Sequence, residues 1–205
     1  MVTTTSARRS SPLPVAADSG KSWEWGRLLL MALLVWWTVR LVVLGGQWVF
    51  LDYPNLAFHE AGHVFTTPFG EFVHYLGGSL FQLLVPALLI AHFLWRAHSP
   101  LGGAFCLWWV GESLHNVSIY MADAWIMALP LVGGGDHDWR YLFGRLGVLQ
   151  ESSIEAIATT TAVIATALMV AGLAWCGILA APPQARARVR AMLSERAPAL
   201  TDFVD

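Results

Sequence analysis

The chain has 205 residues, 56% of them hydrophobic and only 13% charged, with a formal net charge of -2. That composition excludes a disordered chain and argues against an ordinary soluble domain. Arg8, Arg9, Lys21 and Arg27 precede the apolar middle and Arg186, Arg188, Arg190 and Arg196 follow it, the charge pattern of a polytopic membrane protein and not of a nucleic-acid binder.

In chain order, residues 1–26 read as a basic, mobile tail. They hold Ser, Thr and Pro where a cleavable signal needs a continuous apolar core. A first span over 28–51, with Arg40 its only charge, exceeds as a helix the roughly 30 Å of a hydrocarbon core. Residues 54–70, PNLAFHEAGHVFTTPFG, are short and polar on one face, and suit a helix that dips into the bundle from one side. The run 76–95 has no charge and ends at Trp95 and Arg96, an interfacial signature of a second span. A third span is expected over 101–129, carrying Glu112, His115 and Asp123 and stopped by Pro130. The fourth, 156–180, is uncharged and ends at Pro182-Pro183, before a basic C-terminal tail, 182–205.

The expected architecture is therefore all-α: a polytopic integral membrane bundle over 27–181, with four full spans and a shorter helix between the first two. An even number of crossings leaves both basic tails in the cytoplasm of a multi-pass cell-membrane protein. Trp23, Trp25, Trp48, Trp95, Trp125 and Trp175 fall near span ends. The mid-span pairs Trp36-Trp37 and Trp108-Trp109 read as packing residues. Cys106 and Cys176 lie in apolar runs and form no disulfide framework.

The short helix carries the chemistry. His59-Glu60-Ala61-Gly62-His63 is an H-E-x-x-H sequence. Residues four apart share a helix face, so both imidazoles reach one tetrahedral metal, and Glu60 stands beside a water whose pKa the metal lowers. All seven histidines lie between 59 and 137, and ionisable groups at membrane depth default to functional hypotheses. The third ligand is expected from Gly133-Gly134-Gly135-Asp136-His137-Asp138, which two spans return to the face of the motif. Asp136 or His137 is preferred to complete the site, with Asp138 beside them as a further candidate ligand or a supporting group. The alternative for this segment is that Asp136 only caps a helix over 137–147.

Over residues 56–139 the sequence resembles the site-2 protease family of intramembrane zinc metalloproteases. The resemblance rests on H-E-x-x-H at 59–63 and on Gly77, Gly78 and Gln82 in LGGSLFQLLVP. It implies a membrane-embedded zinc centre, with Glu60 as the general base and a membrane-protein or peptide substrate cut within or at the edge of the bilayer. The downstream Gly-rich stretch implies a place for Gln82, where the family has asparagine, near the substrate path. The family's third ligand is the aspartate of a Leu-Asp-Gly motif, where this chain has Gly135-Asp136-His137. With no inserted PDZ-like domain, the chain corresponds to a minimal core.

Two other classes of function fit parts of the same sequence. Glu60-x-x-His63 is echoed by Glu112-x-x-His115, as in di-iron carboxylate bundles, whose further carboxylates would come from Glu71, Asp123 or Glu155. A non-catalytic metal-binding membrane protein would keep the histidines and have no need of Glu60 as a base. Glu112, His115, Asn116, Asp123 and Arg40 could also form a helix-packing network, and Glu112 and His115 could instead support a ligating imidazole or the substrate.

Overall fold

Apolar runs of this length satisfy their backbone polar groups internally as helices, and every regular element among the described residues is helical. The computed structural model describes residues 19–45, 48–132 and 136–203. Residues 1–18 of the expected mobile tail 1–26 and the three glycines 133–135 lie outside them, and residues 19–26 of that tail are helical, as the start of the first helix. α1 (Ser19–Thr38) continues through a π-helical turn (Val39–Val43). α2 (Asp52–Thr66), α3 (Glu71–Trp95), α4 (Pro100–Asp123), α5 (Asp138–Leu146), α6 (Glu151–Ala180) and α7 (Pro183–Arg196) follow. The C-terminal tail is thus helical, and Trp175 Nε1 donates to Phe203 O at 2.7 Å to hold its end against α6.

Three helical stretches are long and apolar enough to cross a membrane: Trp25–Val43, Glu71–Trp95 and Glu151–Ala180. Their outward faces carry Leu29, Trp36, Leu88, Val163 and Val170, all exposed, as lipid-facing surfaces require. Trp37, by contrast, stacks on Trp108 inside, with ring centroids 5.9 Å apart.

α4 is as long as the spanning helices but less apolar, and it occupies the middle of the bundle, packed along α6 on one side and α3 on the other. Its Glu112, Ser113 and Ser118 are buried in protein. The packing is close because α6 offers Gly172, where a Cβ would stand 2.6 Å from Trp108 N. The helix starts on the Ser99 cap, which accepts from Gly102 N at 3.3 Å, with Pro100 in the first turn, where a missing N–H costs nothing. It ends at Asp123, six residues short of the expected 129 (129 - 123), because the Asp123 carboxylate accepts from Ala128 N and Leu129 N at 2.8 and 3.2 Å and turns the chain out of the helix.

The helix ends sort to two ends of the bundle. At one, Arg27 near the start of α1 donates to Leu179 O near the end of α6 at 3.2 Å, and Gly103 at the start of α4 abuts Trp175 of α6. At the other, Val117, Met121 and Ala124 close α4 against Phe143 of α5 and Ile154 and Ala158 of α6. α2 and α5 both lie at this second end, against the first half of α3.

Candidate metal centre

α2 is 15 residues long, about 22 Å, too short to cross. Its buried positions are Asp52, Asn55, His59, Gly62 and Thr66, spaced three and four apart as one helical stripe, and all but the glycine are polar. Gly62 meets Gly77 of α3 so closely that a Cβ on either would collide with the other's backbone. That contact sets both imidazoles against α3.

The third member of the cluster is Asp138. His59 Nε2 lies 2.9 Å and His63 Nε2 3.2 Å from Asp138 Oδ2, and the three ligand-type atoms fall within 4.8 Å of one another. Donors about 2.0–2.1 Å from a tetrahedral zinc lie about 3.3 Å apart, so the spacing suits one ion. Each imidazole uses its other nitrogen on an acceptor. His59 Nδ1–H donates to Gln82 Oε1 at 3.3 Å and His63 Nδ1–H to His74 O at 2.8 Å. Both Nε2 atoms are thereby turned toward a carboxylate oxygen.

Three acceptors facing one another need a positive charge between them. The hydrogen bond to Asp138 raises the His63 pKa above its ordinary value against the opposing pull of burial. Burial pushes the Asp138 carboxyl up, but hydrogen bonds from His59 and His63 outweigh it and hold its pKa below the usual carboxylate value. Gly78 leaves the space open: a Cβ there would stand 2.5 Å from His59 Nε2 and 2.6 Å from His63 Nε2. The donor set, two neutral imidazoles and a carboxylate around a gap one atom wide, fits zinc.

The expected ligands Asp136 and His137 do not join this cluster. Asp136 is exposed and accepts from Tyr75 OH at 3.2 Å. His137 caps α5, its Nδ1 accepting from Arg140 N at 3.3 Å, while Nε2 lies 3.3 Å from Asp123 Oδ2 and the ring stacks on Tyr120 at 4.3 Å. Burial lowers the His137 pKa, with Asp123 opposing. The cause is where α5 starts: with 137 as the cap, Asp138 falls in the first turn, whose free N–H groups favour a carboxylate. Asp138 N donates to Tyr120 OH at 3.2 Å. Of the three candidates in this segment, the one not preferred, Asp138, is thus the one that reaches both histidines.

Glu60 is outside the cluster and lines the same cavity, about 430 Å³, together with His59, His63, Asp138, His74, Tyr120 and Gln82. This volume is in the range of sites that hold an organic ligand. Leu56, Ile119, Leu129 and Val132 form its apolar walls. Glu112 is 1% exposed and accepts from Asn55 Nδ2 at 2.8 Å. His115 Nδ1 is buried without a partner, and Arg40 is exposed. Glu71 accepts from Tyr141 OH, so the Glu112-x-x-His115 echo joins no metal-ligating cluster among the described residues. His74, Tyr120 and Asp52, which line the cavity, and Asn55, which does not, were not singled out individually. The polar stripe on α2 is the signal that places Asp52 and Asn55.

Compared with family models, curated proteins and solved structures, the chain matches none. The functional reading rests on the residues themselves.

Proposed function

We propose that this protein is an integral-membrane zinc peptidase with four spans, α1, α3, α4 and α6. The observation that carries the reading is the convergence of His59 Nε2, His63 Nε2 and Asp138 Oδ2 beside Glu60 in one cavity. The bundle ends support four spans: α4 runs from the end that holds Arg27 and Leu179 to the end that holds α5. Enclosure by α3 and α6 lets it carry Glu112 and Asn116, which would be costly against lipid. Gly78 lies seven residues into α3, about 10 Å along it, which supports a cluster inside the hydrocarbon layer that α3 would span.

His59, His63 and Asp138 hold the ion. Zinc bound there supplies the Lewis acidity that brings the pKa of a water near neutrality. Glu60 takes the proton of the attacking water and returns it to the leaving amine, which a carboxylate free of ligand duty can do. The apolar walls receive substrate side chains, and the polar residues keep water at membrane depth. Purified protein in liposomes, given single-span peptides in the same bilayer, is expected to cleave them. Glu60→Gln is expected to bind zinc and to lose activity by about 100-fold or more. Cleavage at wild-type rate by Glu60→Gln contradicts the peptidase reading.

A further inference from the structure

α7, at the end of the bundle away from the metal centre, carries Arg186, Arg188, Arg190 and Arg196 against one carboxylate, Glu195. α6 ends at Ala180, and the extended Ala181 and Pro182 turn the chain off its axis before Pro183 starts α7. Phe203 closes the segment: its carbonyl accepts from Trp175 Nε1 at 2.7 Å, and the two rings lie 5.9 Å apart. An α7 in line with α6 would carry Arg196 about 32 Å beyond Trp175, whereas the short turns from Arg196 to Phe203 cover only about 14 Å. α7 therefore does not continue the α6 axis into water. Folded back along α6, a candidate membrane span, it would set its arginines against lipid tails, which is costly. The placement that satisfies both is across the end of the bundle, level with the lipid headgroups.

Arg186, Val189, Arg190, Leu193 and Arg196 recur three and four residues apart, so they share a helix face. Arg186, Val189 and Leu193 on it are half-buried, which turns that face toward the bundle, while Glu195 is exposed and stands about 180° around the helix from Arg186. None of the ion pairs among the described residues involves Arg186 or Arg196. Arg27 of α1 stands at the same end, its Nη1 donating to Leu179 O at 3.2 Å, and no acceptor among the described residues reaches the Nε of Arg27 or of Arg186. The protein thus gathers guanidinium groups at headgroup level and supplies no carboxylate to neutralise them. Guanidinium presents forked donors that match a phosphate. α7 has few large apolar residues, Val189, Met192 and Leu193, so its hold on a membrane surface comes from charge and not from insertion.

We infer that the arginine face of α7, with Arg27 at the same end, is a docking surface for the headgroup phosphates of anionic phospholipids. Bound there, the lipids hold α7 flat on the membrane and fix this end of the bundle at one leaflet. The inference rests on α6 crossing a membrane and not on the metal centre, so either reading can fail without the other.

The test uses the full chain in phosphatidylcholine nanodiscs, with a fluorophore on Met192→Cys, an exposed position beside the arginine face. The natural cysteines are buried and escape labelling. Quenching is compared for phosphatidylglycerol and phosphatidylcholine that each carry a nitroxide at the top of one acyl chain. Phosphatidylglycerol is expected to quench at the lower mole fraction, and its advantage to shrink as salt rises from about 0.1 to about 1 M. Each arginine at a membrane surface contributes about 5-fold in affinity, so Arg186→Gln/Arg196→Gln is expected to lower the preference by about 25-fold. Arg186→Lys/Arg196→Lys keeps the charge and is expected to keep the preference. Equal quenching by the two lipids around the α7 arginines, an undiminished preference in the folded Gln pair, or a loss in the Lys pair as deep as in the Gln pair overturns the inference. Displacement of phosphatidylglycerol by millimolar inorganic phosphate marks a small-anion site and overturns it as well. The comparison of the two lipids decides even if the Gln pair does not fold.

Discussion

Gly78→Ala isolates the space between the two imidazoles. The added methyl carbon would lie 2.5 and 2.6 Å from the Nε2 atoms of His59 and His63, against at least 3.4 Å for ordinary contact. Each ring must retreat by about 0.8–0.9 Å, roughly four times the 0.2 Å tolerance of a metal-ligand bond. Helix propensity favours alanine by about 1 kcal/mol, which offsets part of an overpacking cost of about 1–3 kcal/mol. The fold is therefore expected to survive while the site does not. Zinc per chain by mass spectrometry is expected to fall from about one to near zero, with thermal unfolding of the metal-free protein within a few degrees of wild type. Gly26→Ala, where nothing lies within 4 Å, is the control and is expected to keep its zinc. Wild-type zinc affinity in Gly78→Ala would refute the placement of the ion between the two rings.

In the proposed site, zinc would compete with a proton on His63. Its raised pKa stabilises the metal-free fold below about 6.5, the unfolded value, and that contribution is lost as pH rises through the folded pKa. The lowered Asp138 pKa contributes above 3.8 and is lost as pH falls through its folded value. The zinc-induced rise in Tm is therefore expected to grow with pH above 6.5, and a rise that is flat across this range would contradict the His63–Asp138 pairing. Gly172→Leu, by driving α4 and α6 apart at Trp108, is expected to destabilise the fold by about 1–3 kcal/mol or more in detergent unfolding, and no loss would contradict the α4–α6 packing. Reporter fusions after residues 98 and 148 are expected on opposite sides of the membrane, cytoplasmic at 98. The same side for both would mean that α4 does not cross.

The all-helical bundle was legible because apolar length alone forces it, and the pair His59 and His63 because a spacing of four puts two side chains on one face. The third member of the cluster was not legible. Asp136, His137 and Asp138 differ by one residue each, a rotation of about 100° on a helix, so everything depends on where α5 begins, and His137 rather than Asp136 is its cap. The end of α4 was misplaced for a similar reason, since a run that stays apolar past Asp123 conceals a carboxylate that caps its own exit. Asp52 and Asn55 belong to no motif. They become visible only when α2 is read as a stripe through His59, with Glu112, Ser113 and Asn116 of α4 as the partners across the interface.

The central claim, that His59, His63 and Asp138 hold zinc, is tested most directly by the metal content of detergent-purified wild type, Asp138→Ala, Asp136→Ala and His137→Ala. About one zinc per chain is expected in the wild type and in Asp136→Ala and His137→Ala, with loss in Asp138→Ala. Zinc retained at full occupancy in Asp138→Ala, or absent from metal-replete wild type, would contradict it.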